Sequence, residues 1–221
     1  NNNNNNNNSD DSTDKDITTD SIEDDSSDAV TTTDSAAECA ASGADAVYNI
    51  TLFGTNYSAR CTTEIRRNMG MITGTIATEV GLLTAMTVLA LSDNRLTGTL
   101  PSELGALTDT TALMLEGNSL TGKIPTELVG ALTDMYYLNL MGNELTGPIP
   151  SEIGQMTALF FLELARNQLR GSIPSEIGAL TALTRLVLSR NWLSGTIPTE
   201  VGTATSLTSL HLWDNNLSGP L

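Results

Sequence analysis

Four aromatic residues are the side chains best suited to contact a binding partner. Tyr136 and Tyr137 are followed 24 residues later by Phe160 and Phe161, so two adjacent pairs occupy equivalent places in a repeating sequence. Aromatic side chains beside arginine are typical of the residues that dominate protein–protein binding. The alternative is that Tyr137 and Phe161 only pack on their neighbours and stiffen a sheet. The predicted partner-binding residues are Met114, Tyr136, Tyr137, Asn139, Phe160, Phe161, Glu163, Arg185, Val187, His211 and Trp213.

Catalytic and metal chemistry find little support in the composition. His211 is the only histidine, and neither a partnered nucleophile nor a glycine-rich phosphate loop accompanies it. Two cysteines are too few for a four-cysteine zinc site. We therefore predict that the protein is not an enzyme and uses no cofactor or metal. A net charge of −16 argues against a nucleic-acid partner, because phosphate binding needs clustered Lys and Arg.

The acidic charge is concentrated at the start of the chain. Residues 1–38 contain nine Asp, two Glu and one Lys, a formal charge of −10, and begin with eight Asn. Such a segment has too few apolar residues to offset the entropy of ordering, so residues 1–36 are predicted to be a disordered acidic leader. No run of 18 apolar residues occurs, so no transmembrane segment is predicted within this chain, which leaves a tether outside it open.

A repeat of 24 or 25 residues organises the rest of the sequence. Leucine stands five and three residues before each repeated Asn and two residues after it, and Gly stands four residues after it. The Leu-x-Leu spacing predicts a short strand with both leucines on one side, and stacked copies predict a parallel sheet over a leucine core. The asparagine amide can donate and accept at once, which suits a structural role between stacked copies. The predicted structural residues are Asn94, Asn118, Asn143, Asn167, Asn191 and Asn215.

The text L-x-x-L-x-L-x-x-N-x-L-x-G-x-I-P resembles the plant-type leucine-rich repeat, found in receptor-kinase ectodomains, polygalacturonase-inhibitor-like proteins and similar algal proteins. The resemblance implies an α/β solenoid, a right-handed superhelix with short parallel strands on the concave face and loops or 3₁₀ turns on the convex face. We expect an N-terminal cap with one degenerate repeat over 37–86 and six repeats over 87–221, the last truncated. The resemblance also implies an extracellular or cell-surface monomer that binds a protein or peptide on the concave face.

Two further features agree with an extracellular location. Cys39 and Cys61 bracket the predicted cap, and the resemblance favours a disulfide between them over two free thiols. Asn49, Asn56 and Asn216 begin Asn-x-Ser/Thr sequences, which are predicted glycosylation sites although each motif alone is weak.

Threonine columns support a second function. Thr84, Thr108, Thr133, Thr157, Thr181 and Thr205 occur once per repeat, and Thr97, Thr121 and Thr146 begin another column. Regular hydroxyl arrays can match an ice lattice, so the alternative function is adsorption to ice or to an extracellular matrix. In the sequence, this alternative is supported only by analogy with other proteins of the same fold. A spacer within a larger adhesin is the third hypothesis.

Overall fold

The computed structural model describes residues 49–58 and 61–219. The predicted acidic leader and Cys39 lie outside these residues, so the predicted leader and the predicted Cys39–Cys61 disulfide remain predictions. The described part begins with an antiparallel hairpin of β1 (Asn49–Leu52) and β2 (Thr55–Ser58). Phe53 and Gly54 form its two-residue turn, and both have positive φ, 51° and 76°, as a tight hairpin turn requires.

A seven-stranded parallel sheet follows, with one three-residue strand from each repeat. Each strand pairs in register with the equivalent residues of the next, for example Leu113 with Leu138. Leu-x-Leu explains both the strands and their register, because a shift by one residue would move every leucine out of the core. The strands are β3 (Glu64–Arg66), β5 (Val88–Ala90), β7 (Ala112–Met114), β9 (Tyr137–Asn139), β11 (Phe161–Glu163), β13 (Arg185–Val187) and β15 (Ser209–His211).

A second ladder of short parallel strands runs beside the first, where the chain leaves each repeated Asn. Its first two strands form one pair, the other five form a continuous sheet, and a single bridge between Thr99 and Thr121 lies between the two groups. The strands are β4 (Thr73–Thr75), β6 (Arg95–Thr97), β8 (Thr121–Gly122), β10 (Glu144–Gly147), β12 (Gln168–Gly171), β14 (Trp192–Gly195) and β16 (Asn216–Leu217).

Short helices complete each repeat on the side of the core away from the seven-stranded sheet. Five are 3₁₀ helices: Thr78–Leu82, Ser102–Ala106, Ser151–Gln155, Ser175–Ala179 and Thr199–Thr203. All but the first follow a proline, whose fixed φ starts the turn. The repeat with the extra residue Val129 instead forms an α-helix, Thr126–Ala131, because one more residue lets the turn widen. The predicted α/β solenoid with parallel strands and 3₁₀ turns is thereby confirmed.

The core is a continuous stack of leucine and isoleucine between the sheet and the helices. Leu89, Leu91 and Leu96 of one repeat are 0% exposed, and their equivalents in the following four repeats are nearly as deeply buried. The hairpin covers the first repeat with Leu52 and Tyr57. Arg67, which occupies a leucine position in the degenerate repeat, donates through Nη1 to the backbone oxygen of Phe53 at 3.1 Å.

Each repeated asparagine joins two neighbouring repeats through hydrogen bonds. Asn191 donates through Nδ2 to the backbone oxygens of Leu164 and Leu188, both at 3.0 Å, and its Oδ1 accepts from the backbone N–H of Leu169 at 3.0 Å. The other five make the same set of contacts. A buried turn thus has its backbone polar groups satisfied without a solvent molecule.

Candidate ligand-binding face

The seven-stranded sheet presents a second face on the side opposite the leucine core, here called the open face. Side chains alternate along each strand, so residues between the core leucines point to this face. At its N-terminal end Val88, Ala90, Ala112 and Met114 form a small apolar cluster separate from the leucine core, and Tyr137 packs against it. The strand before this cluster, β3, carries an ion pair on the same face, Arg66 Nε to Glu64 Oε2 at 2.9 Å, so the apolar part of the face is confined to β5 and β7.

The four predicted aromatic residues form one cluster at the centre of the open face. Tyr136 and Phe160 stack with 5.2 Å between ring centroids and an interplanar angle of 16°. Phe161 makes edge-to-face contacts with Tyr137 at 5.6 Å and with Phe160 at 4.8 Å. The register β9–β11 brings Tyr137 opposite Phe161, so neighbouring repeats build the cluster together. Tyr136 is 43% exposed and leaves an aromatic surface available to a partner.

A charged pair borders the aromatic cluster. Arg185 Nε lies 2.9 Å from Glu163 Oε1 on the adjacent strand. The Glu163 side chain is 14% exposed whereas that of Arg185 is 42% exposed, so the guanidinium reaches outward and the carboxylate stays beneath it. The remaining guanidinium N–H groups of Arg185 can donate to a partner while the ion pair holds the side chain in place.

The hydroxyl of Tyr137 lies at the edge of the aromatic cluster and contacts polar groups. Its hydroxyl accepts a hydrogen bond from Asn139 Nδ2 at 3.2 Å, and Asn139 Oδ1 accepts from the backbone N–H of Met141 at 3.0 Å. Burial, with a further contribution from the negative charge of Glu163, raises the pKa of Tyr137 to about 12. The phenol therefore stays neutral at physiological pH.

Glu116 is a half-buried residue on this face, with a buried carboxyl oxygen, that sequence reasoning missed. Burial is the main cause that raises its pKa, and the nearby charges of Asp93 and Glu163 act in the same direction. Its Oε2 has no hydrogen-bond partner among the described residues. Only a comparison across repeats of the position two residues before each repeated Asn could have indicated it.

The predicted contact residues differ in how much side chain they offer. Met114, Asn139 and Val187 are at most 9% exposed, so their surface contribution is small. His211 is half-buried on the last strand. Trp213 is 54% exposed, and the guanidinium of Arg190 lies 4.8 Å from its ring. These last residues stand two repeats away from the aromatic cluster, so the predicted set spans the face rather than one spot.

Trp192 and Arg170 form a contact that sequence reasoning did not single out. Both lie on the second strand ladder, where the β12–β14 register places them opposite each other, and the guanidinium carbon lies 4.2 Å from the ring centroid. Trp192 is 46% exposed. This pair could be recognised only from the register of the second strand ladder, which the leucine spacing predicts only weakly.

The threonine columns differ from each other in their hydrogen bonding. Thr84, Thr108, Thr133, Thr157, Thr181 and Thr205 are all exposed. The second column, in contrast, uses its hydroxyls internally: Thr97, Thr121 and Thr146 each donate to a backbone oxygen of the preceding repeat at 3.1 to 3.2 Å. Only the first column is therefore free to present an array of hydroxyls.

The predicted glycosylation sites fall on the second ladder and the hairpin. Asn56 and Asn216 are exposed, and Asn49 begins β1. The three sites remain predictions, since no modification is part of the structure.

The sequence and the structure were compared with known protein families and solved structures to identify the type of solenoid. The Leucine Rich Repeat model matches residues 85–107, 135–156, 158–180 and 182–204. A solved structure of the plant peptide hormone receptor RGFR1 in complex with RGF2 is 41% identical, with a TM-score of 0.66. The chain is a plant-type leucine-rich-repeat protein. The aligned part covers 66% of this leucine-rich-repeat protein and 23% of that receptor chain.

Two further structures place this leucine-rich-repeat protein among known ones. The Arabidopsis receptor kinase HAESA, in complex with the peptide hormone IDA and the co-receptor SERK1, is 38% identical with a TM-score of 0.64, covering 66% of this chain and 24% of that one. A plant ice-binding protein is 26% identical with a TM-score of 0.52, covering 70% of this chain and 56% of that one. The chain spans about a quarter of the length of these two receptor structures. Curated proteins give no match.

Among residues 49–58 and 61–219, no helix combines the length and the apolar character that a membrane crossing requires.

Proposed function

We propose that this leucine-rich-repeat protein is a non-catalytic recognition module that binds a peptide or protein on its open face. The aromatic cluster of Tyr136, Tyr137, Phe160 and Phe161 carries the proposal. Four rings in mutual contact, one of them 43% exposed, form a rigid apolar anchor that loses little conformational entropy on binding. The similarity to receptors solved with peptide hormones supports a peptide as the ligand.

The surroundings of the cluster indicate what the ligand carries. Arg185 extends beside the rings with free donors, so a carboxylate or backbone carbonyl of the ligand fits next to an apolar side chain. The seven strands of the face span about 29 Å at the spacing of a β-sheet, enough for an extended peptide of about nine residues. Such a peptide would cross several repeats.

The proposal is tested with a peptide selected from a random displayed library on the immobilised full chain. Replacing Tyr136 and Phe160 with Ala should weaken binding of that peptide at least tenfold in calorimetry, because hot-spot aromatics each contribute about 2 kcal/mol or more. The matched control replaces the exposed Thr108 and Thr157 with Ala, which should leave the affinity unchanged. Equal affinity of both double variants would overturn the role of the cluster.

We place the protein outside the cell, as an extracellular or cell-surface molecule. Its similarity to receptor-kinase ectodomains and the exposed Asn56 and Asn216 motifs support this placement. The protein purified from its natural source should lose mass on treatment with an endoglycosidase that removes N-linked sugars. An unchanged mass, with Cys39 and Cys61 reacting as free thiols, would contradict the placement.

A second candidate function is adsorption to ice. Two observations favour it: the six exposed threonines of the first column and the similarity to a plant ice-binding protein. If it is correct, the purified protein should show thermal hysteresis that disappears when Thr133 and Thr157 are replaced by Lys. The absence of hysteresis in the unaltered protein would remove this candidate and leave the recognition proposal untouched.

A further inference from the structure

One flank of the later repeats carries positive charge in an otherwise acidic chain. Residues 164–195 contain four Arg and one Glu, a formal charge of +3 in a chain of net charge −16. Arg185 is engaged by Glu163 on the open face, whereas Arg170 lies on β12 and Arg166 and Arg190 lie in the turns that lead into β12 and β14. We call this surface the arginine flank, which consists of Arg166, Arg170, Arg190, Trp192 and Trp213.

The arginines of this flank are largely available to a ligand. Within residues 49–58 and 61–219, Arg166 and Arg170 make no ion pair, and Arg190 has only a weak, exposed one, with Asp214 at 4.0 Å. Arg170 and Arg190 lie over the two tryptophan rings, which hold the guanidinium groups flat on the surface. A stacked guanidinium keeps its N–H donors directed outward around the ring edge.

Two of these arginines occupy a backbone conformation that is unfavourable for them. Arg166 and Arg190 have φ of 54° and 55°, at the position where the second and third full repeats have Gly117 and Gly142. Glycine adopts this left-handed conformation at no steric cost, whereas arginine does not. Asp93 and Asp214 adopt the same conformation at this position of their repeats, so the turn accepts these side chains and presents the two arginines at equivalent places in adjacent repeats.

The acidic helix-start residues do not neutralise the flank. Glu176 and Glu200 lie at the beginning of the short helices, where each accepts a hydrogen bond from the preceding Ser175 or Thr199 hydroxyl. These helices stand on the side of the core away from the seven-stranded sheet, a different part of each repeat from β12 and β14. An acidic segment that approaches the solenoid thus meets net positive charge on this flank.

We propose that the arginine flank is a docking site for the acidic leader of the same chain, residues 1–36. The leader carries a charge of −9, so its carboxylates complement the arginine donors. Length permits the contact. Five strand spacings from β4 to β14 amount to about 24 Å, whereas the 36 residues of the leader alone can extend to about 120 Å, so the contact does not depend on residues 39–48 being free of the predicted Cys39–Cys61 disulfide. The docked leader would cover both exposed tryptophans beside the open face.

The two tryptophans provide the test, because they are the only ones in the chain and both lie on the flank. Acrylamide quenching of their fluorescence is measured on the full chain at low salt. It is then measured on a full-length variant in which the nine leader aspartates are replaced by Asn: Asp10, Asp11, Asp14, Asp16, Asp20, Asp24, Asp25, Asp28 and Asp34. The quenching constant should rise about twofold in the variant, because indole rings that a docked segment shields from solvent become open.

High salt should produce the same rise in the unaltered chain, because screening weakens contacts between exposed charges. Arg166→Gln, which removes a guanidinium that is not stacked on either Trp, should raise the constant part of the way. Arg95→Gln, at the exposed start of β6 in the first full repeat, is the matched control and should leave it unchanged. An identical quenching constant with the native and the neutralised leader would overturn the proposal. So would shielding that grows with protein concentration, which would assign the occupant to a second copy.

Discussion

The ring of Tyr136 stacks on the ring of Phe160 across two neighbouring repeats, 5.2 Å apart and 16° from parallel. This contact lies at the centre of the proposed binding surface and is made entirely by side chains of the protein itself. A surface that is ordered before binding loses less entropy when the ligand arrives.

The stack itself should be measurable as a coupling energy. A double-mutant cycle with Tyr136→Ala and Phe160→Ala, followed by urea unfolding, should give a coupling of about 0.5–1.5 kcal/mol, the usual contribution of an aromatic pair. The matched cycle pairs Tyr136→Ala with Trp192→Ala, which lies on the second ladder, and should give no coupling. Equal coupling in the two cycles would show that the rings do not interact as described.

The asparagine contacts predict a large loss of stability from a small change. Asn191→Ala removes two hydrogen bonds to the backbone oxygens of Leu164 and Leu188 and one from the N–H of Leu169. Buried backbone groups left without partners cost about 1–3 kcal/mol each, so the free energy of unfolding should fall by roughly 3 kcal/mol or more. The exposed Asn216 is the control, and Asn216→Ala should change stability by less than about 0.5 kcal/mol. A comparable effect of both substitutions would contradict a structural role for Asn191.

Two helix glycines should respond in opposite ways to the same substitution. A Cβ at Gly105 would lie 2.4 Å from the backbone oxygen of Glu127 in the next repeat, so Gly105→Ala should destabilise the protein by about 1–3 kcal/mol. At Gly130, in the α-helix that contains Val129, the nearest atoms lie 3.6 Å away. Gly130→Ala should therefore be neutral or stabilise by up to about 1 kcal/mol, since Ala favours helix more than Gly. Thermal unfolding of the two variants checks the difference, and equal melting temperatures would refute it.

The raised pKa of Tyr137 predicts a loss of stability at high pH. The phenol has a pKa of about 12 in the folded protein against an ordinary value of 10. The unfolded chain therefore releases this proton first, and the contribution of Tyr137 to stability falls as the pH rises from 10 towards 12. Tyr137→Phe should reduce the fall in unfolding free energy between pH 9 and pH 11, as measured by urea titration at each pH. An identical pH dependence in the variant would show that Tyr137 titrates normally.

The sequence predicted the solenoid because its physical determinants are periodic. Leu-x-Leu fixes which side of a strand is buried, and the repeated Asn marks each turn, so these residues alone were enough to predict the fold class that the structure confirms. The extra Val129 was visible in the sequence, but its conversion of a 3₁₀ helix into an α-helix was not, since both turns have the same pattern of apolar residues.

The sequence predicted which residues lie on the open face, but not how deeply they are buried or which residues of neighbouring repeats they contact. Alternation places Met114, Asn139 and Val187 on the open face, yet it does not reveal that neighbouring strands bury them to 9% exposure or less. Contacts between neighbouring repeats, such as Arg170 with Trp192, depend on the register of the second ladder. Charge effects on Glu116 arise from residues one to two repeats away and leave no local signal in the sequence.

The most direct measurement of the central claim is the place where a bound peptide touches the protein. A library-selected peptide that carries a photoreactive benzophenone is irradiated with the full chain, and the crosslinked residues are identified by mass spectrometry. Crosslinks within residues 136–141 and 160–165, around the stacked Tyr136 and Phe160, are the result that we expect. Crosslinks confined to the short helices and the exposed threonine column, with none on the open face, would contradict the account.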